Sequence, residues 1–193
     1  MDVLSSLEAV VHSTWLLPVL VVMIAVDAPF PVLPSETLLM TAVAGAFAAD
    51  DVPFVLALFV AAVLGSVTGD LITFGLGRTS HRLIAGSAAG GARVRGHLLR
   101  RPGAVLVGAR FLPGGRLVST AAAGRFGLRV RPFLIWSSVS SSAWAVYMLG
   151  VGRALEPMTG GDPLLCVLGA TALALVTGGL FAVGRRMSAR RCG

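Results

Sequence analysis

The chain has 193 residues, of which 55% are hydrophobic and only 13% are charged, about half the usual charged fraction. A soluble domain of this length has too small an interior to bury so much apolar surface, and the composition also excludes a disordered chain and a disulfide-rich mini-protein. All 16 basic residues are arginines, and nine acids leave a net charge of +7. Arginines at the ends of apolar segments are typical of anionic lipid headgroup contact rather than of a nucleic-acid module. We therefore expect an integral membrane protein with no nucleic-acid partner.

Four apolar segments are long enough to cross a bilayer as helices. They cover residues 8–27, 52–77, 132–153 and 163–184. Two further apolar stretches, 28–50 and 102–125, are interrupted by prolines. Because a broken helix at membrane depth must be shielded by protein or by a water-filled cavity, we predict that each stretch is a re-entrant hairpin of two half-helices. The alternative is a kinked helix that spans the whole membrane.

The placement of charge favours re-entrant hairpins. With the N-terminus inside, 13 of the 16 arginines lie on the cytoplasmic side, as the positive-inside rule requires. Two full spans instead of two hairpins would put the first two arginine clusters on opposite sides of the membrane. Residues 78–101 are then a cytoplasmic amphipathic segment, and 185–193 are a basic cytoplasmic tail. The abundance of Ala, Gly, Val and Arg without Lys is typical of a GC-rich bacterial genome, so we expect the cytoplasmic membrane of a bacterium.

The two predicted hairpins are copies of each other. A shift of 79 residues aligns positions 33–54 with 112–133 and gives ten identities in 22 positions. Further along, Gly75-x-Gly77-Arg78 resembles Gly150-x-Gly152-Arg153 at an offset of 75. The corner after the first hairpin is acidic at Asp50, and the equivalent Arg129 is basic, as expected for copies that lie upside down relative to each other. The predicted fold is an all-α membrane protein with an inverted repeat of hairpin plus transmembrane helix, flanked by N- and C-terminal transmembrane helices.

Four ionisable residues lie in or beside the hairpins at predicted membrane depth, namely Asp27, Glu36, Arg110 and Arg116. A charge at that depth costs several kcal/mol unless it is paired or faces water, so it marks a functional site by default. Arginine suits phosphate, and the half-helix N-termini at the tips offer further donors to an anion. The predicted tip residues are Pro34, Pro113, Gly114 and Gly115. We expect two acids to face two arginines, with Arg110 and Arg116 binding phosphate and Asp27 and Glu36 carrying protons; the alternative is a salt-bridge cluster that only locks the hairpins.

The remaining polar residues leave alternatives open. Asp70 follows the close-packing motif Gly65-x-x-x-Gly69 and is either a polar partner within the bundle or a proton relay. The serines between residues 137 and 142 form either a close-packed helix face or one wall of a hydrophilic cavity. No hydrolase, phosphate-loop or Cys/His motif occurs in the sequence, so we expect neither an enzyme nor a metal or other cofactor.

The order of these motifs resembles the DedA family, also called the SNARE-associated or VTT-domain family. The resemblance runs from about residue 27 to 153 and rests on Asp27 with Pro34-Ser35-Glu36, on Gly65-x-x-x-Gly69-Asp70 with Gly75-x-Gly77-Arg78, on the segment from Arg110 to Arg116 with Ala123-Gly124, and on Phe133 and Trp144. Three positions depart from the family pattern. Asp27 stands in place of the commoner Glu, Ser35 where Gly is usual, and Thr73-Phe74 where a Tyr is frequent.

The resemblance implies a bacterial inner-membrane protein that moves lipids across the bilayer. Family members recycle undecaprenyl phosphate or scramble phospholipids, and several depend on the proton motive force. The family's essential acids map onto Asp27 and Glu36, and its essential arginines onto Arg110 and Arg116. The leading hypothesis is proton-linked flipping of a polyprenyl phosphate. The alternatives are phospholipid scrambling, small-ion transport, and a non-transporting envelope or division scaffold; a homo-oligomer is compatible with all of them.

Overall fold

A computed structural model describes residues 15–30, 35–83, 95–110 and 114–159. Within these ranges the structure is helical, without strands, as the composition predicts. The helices are α1 (Leu16–Asp27), α2 (Ser35–Ala48), α3 (Val52–Leu83), α4 (Pro102–Arg110), α5 (Gly115–Arg125) and α6 (Val130–Thr159). Residues 95–100 are helical as well. The start of the first predicted span, the fourth span at 163–184 and the tail at 185–193 lie outside the described residues.

Two helices in the described ranges are long and apolar enough to cross a membrane, within α3 at Val52–Ser80 and within α6 at Val130–Ala154. They include the predicted spans 52–77 and 132–153. On α3, apolar side chains spaced four residues apart stay 52–60% exposed, at Leu56, Val60 and Leu64. In water such a stripe would be costly, whereas the hydrocarbon of a bilayer covers it without penalty. The stripe therefore has the composition of a lipid-facing surface.

Shorter helices lie in the two proline-interrupted stretches, where half-helices are predicted. Helix α2 follows the first tip, but residues 28–30 before that tip form a turn and not the start of a half-helix; α4 and α5 flank the second tip. The tips themselves, residues 31–34 and 111–113, lie outside the described residues, so the re-entrant path of the chain stays a prediction. Gly114 has a φ of +71° immediately before α5, a left-handed conformation that glycine adopts without strain.

The same hydrogen-bonded turn ends α2 and α5. After α2, the amide of Asp50 donates to the carbonyl of Phe47, and the amide of Asp51 donates to that of Ala46. After α5, Gly127 donates to Gly124 and Leu128 donates to Ala123 in the same way. Both turns are Schellman motifs, with a positive φ of 51° at Asp50 and of 76° at Gly127. Both half-helices therefore end in the same type of turn, although Gly127 lies two residues before Arg129, the sequence equivalent of Asp50.

The two copies pack into each other rather than side by side. Gly77 of α3 lies so close to α5 that a Cβ atom there would overlap the carbonyl of Ala121. At the equivalent place in the other copy, a Cβ atom on Gly152 of α6 would lie 2.6 Å from a methyl of Val43 in α2. Each long helix thus packs against the half-helix of the other copy, in a reciprocal arrangement that an inverted repeat produces.

Helix α1 packs against the N-terminal half of α3 through the predicted close-packing motif. Cβ atoms built on Gly65 and Gly69 would lie 2.7 Å and 2.6 Å from the carbonyl oxygens of Val21 and Ala25. Only glycine permits helix backbones to approach this closely. The contact holds the next residue, Asp70, in the interior of the bundle, on a stretch of α3 that faces α4, α5 and α6.

Candidate functional site

Asp70 is the centre of a buried ion cluster. Its side chain is 2% exposed and receives two guanidinium groups. The Oδ2 atom lies 3.2 Å from Nη1 of Arg110, the last residue of α4, and Oδ1 lies 2.8 Å from Nε of Arg116, in the first turn of α5. One carboxylate therefore joins both sides of the second predicted hairpin to the middle of α3.

Three serine hydroxyls complete the cluster. Ser137 of α6 donates to Oδ2 of Asp70 at 2.7 Å. Ser66 lies one turn before Asp70 on α3, and its hydroxyl accepts a hydrogen bond from Nη2 of Arg110. Nη2 of Arg116 donates both to the Ser66 hydroxyl, at 3.1 Å, and to the Ser66 carbonyl, at 3.0 Å. Ser141 donates to the hydroxyl of Ser66 at 3.1 Å. All three serines are buried, so the serine face of α6 is part of a polar site and not only a surface for close packing.

Ser66 and Ser141 show where this cluster lies in the repeat. The offset of 75 residues that relates the long helices places Ser66 of the first copy on Ser141 of the second. A contact between two equivalent residues places the ion cluster where the two copies of the repeat meet. The charges themselves are not symmetric, since Asp70 falls on Ala145 under the same offset.

The two arginines differ in their exposure. The Arg110 side chain is 3% exposed. Its Nε atom is buried and has no hydrogen-bond partner among the residues that the structure describes. The Arg116 side chain is 19% exposed. Two guanidinium charges on one carboxylate leave the cluster with a net charge of +1. An excess positive charge and an unused buried donor together favour an anionic ligand.

Asp27 lies at the end of α1, and Glu36 lies at the start of α2. The Ser35 hydroxyl donates to Oδ2 of Asp27 at 3.2 Å, which joins the start of α2 to the end of α1. Glu36 is exposed, interacts electrostatically with Asp27, Arg116 and Arg110, and accepts a hydrogen bond from the indole of Trp144 on α6. Among the described residues, the ion pairs within 4 Å join the arginines to Asp70 and not to Glu36.

The structure thus brings the predicted residues together, but the arginines pair with a different acid from the one expected. Arg110 and Arg116 lie side by side as expected, but their direct partner is Asp70, which the sequence left open between a structural and a relay role. Of the predicted tip residues, Gly114 and Gly115 begin α5, while Pro34 and Pro113 lie outside the described residues.

Sequence reasoning missed Ser66 as a hydrogen-bond partner of both arginines, and it used Trp144 only as an aromatic position of the family pattern. A signal for Ser66 was present, because residues one turn apart share a helix face and Ser66 lies four residues before Asp70. No comparable signal exists for Trp144, whose partners come from other helices. Within the ranges that the structure describes, no group of three or more His, Cys, Asp or Glu side chains is arranged to hold a metal ion.

These features define a helical membrane protein built from two interlocked copies of one unit, with a buried cationic cluster where the copies meet. Residues 33–154 match the family model of the VTT domain. The match covers more than half of the chain, which therefore belongs to the VTT-domain family, the domain of the DedA or SNARE-associated proteins. This family is membrane-associated and often proposed to contain transporters or flippases. Searches of curated proteins and of solved structures gave no significant match.

Proposed function

We propose that this protein is a proton-linked translocase for a lipid phosphate, with a polyprenyl phosphate as its substrate, in the cytoplasmic membrane of a bacterium. The observation that carries the proposal is the pair of arginines that share one buried carboxylate where the two copies meet. In an inverted repeat, the substrate site lies near the bilayer midplane at the interface of the copies. The cluster occupies that interface and carries a net positive charge.

Arg116 is the residue that we propose to contact the phosphate first. It is the more exposed of the two arginines, and its planar guanidinium suits bidentate binding of a phosphate. Its place in the first turn of α5 adds backbone amides and the positive end of the helix dipole. Arg110 then contributes its unused Nε when the phosphate enters.

Glu36 and Asp27 are the groups that we propose to exchange protons. Neither is sealed in the interior, and Glu36 lies within electrostatic reach of both arginines. A phosphate that binds the arginines weakens their attraction for Glu36 and favours uptake of a proton by its carboxylate. Movement of the hairpins would then open the site to the other face, with the N- and C-termini remaining cytoplasmic.

Transport in vesicles tests the proposal. The purified protein is reconstituted with a fluorescent polyprenyl phosphate in the inner leaflet, and its appearance outside is followed with and without a proton gradient. Wild-type protein should move the lipid and Arg116→Ala should not, while Arg131→Ala, an exposed arginine at the start of α6, should retain the wild-type rate. Wild-type rates for Arg116→Ala would overturn the proposal.

Competition in the same vesicles identifies the substrate. An excess of unlabelled polyprenyl phosphate should slow transport, whereas zwitterionic phospholipid should not. Inhibition by phospholipid would instead assign the site to phospholipid scrambling. Failure of the wild-type protein to move any lipid or small ion would leave the scaffold function, in which the cluster only locks the two copies together.

A further inference from the structure

Trp144 contacts both a proposed proton-carrying acid and an arginine of the ion cluster. Its indole N–H donates a hydrogen bond to Glu36, and the guanidinium carbon of Arg110 lies 5.4 Å from the centre of its ring. Trp144 is 8% exposed and lies on the face of α6 that also carries Ser137 and Ser141. One rigid side chain thus connects Glu36, the proposed proton-carrying acid at the start of α2, to Arg110, the more buried arginine of the ion cluster.

The chemistry of tryptophan suits this position. Its ring has the strongest attraction for a cation among the aromatic side chains, and its N–H donates but cannot accept a hydrogen bond. The hydrogen bond is strong while Glu36 is ionised and weakens once the carboxyl is neutral. Because the ring moves as a rigid body, a change at the N–H edge alters the ring face that lies against Arg110.

We propose that Trp144 is a positioning residue that couples the protonation state of Glu36 to the position of Arg110. The inference rests on the proposed function, since it assigns Glu36 to the proton and Arg110 to the anion. The charged groups around Glu36 are Asp27 from α1, Arg110 from α4 and Arg116 from α5, and Asp70 from α3 lies behind the arginines. Trp144 is the neutral link between this acid and the buried cation.

Fluorescence of Trp144 tests the link without any transport. The chain has three tryptophans, and Trp15 and Trp136 are 73% and 38% exposed, so Trp15→Phe with Trp136→Phe leaves Trp144 as the single reporter. Its emission should change along a pH series, and Glu36→Gln should abolish that change. A pH-independent emission would overturn the inference, and so would a response that persists in Glu36→Gln, because the titrating group would then be another acid.

Transport supplies the second test. Trp144→Phe retains a ring against Arg110 and loses the N–H, and loss of a hydrogen bond to a charged group should slow proton-linked transport about tenfold. If Trp144 acts through Glu36, then Trp144→Phe combined with Glu36→Gln should be no slower than Glu36→Gln alone. Trp136→Phe, the same change on the same helix, should transport at close to the wild-type rate.

The two tests separate the possible failures. Equal rates for Trp144→Phe and Trp136→Phe, or multiplied losses in the double variant, would overturn the coupling. If wild-type protein moves no lipid, the proposed function fails, while the fluorescence series still decides whether Trp144 senses Glu36. Since that series leaves Trp144 intact, it also decides the question if Trp144→Phe does not fold.

Discussion

Substitution of Asp70 by asparagine should destabilise the protein severely. Asn has nearly the same size, so the change removes charge without opening a cavity. In the native site the carboxylate accepts from Arg116 at 2.8 Å, from Arg110 at 3.2 Å and from Ser137 at 2.7 Å. In Asp70→Asn one oxygen becomes an NH₂ group that faces other donors, and two guanidinium groups stay buried without their carboxylate.

The size of the effect follows from this burial. Removing one partner of a buried ion pair costs about 3–5 kcal/mol, because the remaining charge is left uncompensated. Arg110, 3% exposed, cannot recover that loss in water, whereas Arg116, 19% exposed, can do so in part. For a chain of this length, 1 kcal/mol shifts the melting temperature by about 2–4 °C. We therefore expect Asp70→Asn to melt roughly 10 °C below the wild type in thermal unfolding of protein held in lipid nanodiscs.

Two further variants make the measurement specific. Asp51→Asn is the matched control, since Asp51 is exposed and caps α3 through a 3.0 Å bond from the amide of Phe54, and Asn caps helices as well as Asp does. Adding Arg110→Gln to Asp70→Asn restores the net charge of the cluster and should recover part of the lost stability. A melting temperature for Asp70→Asn equal to that of Asp51→Asn, or a double variant that is less stable than the single one, would refute the reasoning.

Three more outcomes follow from the packing of the site. Gly77→Ala drives a methyl group into a carbonyl of α5 and should cost about 1–3 kcal/mol, while Gly75→Ala, with nothing within 4 Å, should be neutral or slightly stabilising; thermal unfolding compares the two. The hydroxyl oxygens of Ser66 and Ser141 are 3.1 Å apart, so the double variant Ser66→Cys with Ser141→Cys, in a background without the native cysteines, should form a disulfide on oxidation. After cleavage of the chain between α3 and α4, this disulfide should hold the two fragments together on a non-reducing gel, and two separate fragments would contradict the contact. Arg116→Ala leaves Arg110 paired with Asp70 and should lower the free energy of unfolding by only about 1–3 kcal/mol. A loss of stability as large as that of Asp70→Asn would contradict the difference in exposure between the two arginines.

Much of the fold could be predicted from hydropathy and repetition, because both are local properties of the sequence. The long α3 and α6 follow from apolar runs that water does not accommodate, and proline marks where the intervening stretches break. The offset of 79 residues also predicted that two copies exist. It did not predict that Gly77 packs against α5 and Gly152 against α2, each on the half-helix of the other copy, since a repeat in sequence carries no information about which surfaces meet.

The site was predicted in composition but not in pairing. Depth in the membrane identified Asp27, Glu36, Arg110 and Arg116 as unusual, because each charge there needs a partner, whereas Asp70 was left open between a structural and a relay role. Which acid pairs with which base depends on helix rotation and on the close approach at Gly69, which turns Asp70 inward. Glu36 was expected to face the arginines directly, and the structure adds Trp144 between Glu36 and Arg110 as a contact that only the tertiary fold creates.

The reciprocal packing of the two copies has a consequence for how the protein is made. A chain enters the membrane from its N-terminus, so Val43 of α2 is synthesised long before Gly152, the residue of α6 that packs against it. Until α6 arrives, the first copy has no partner for that surface, and Asp70 gains its arginines only once α4 and α5 have been made. The first half must therefore remain in the bilayer without these contacts until the second half has been inserted.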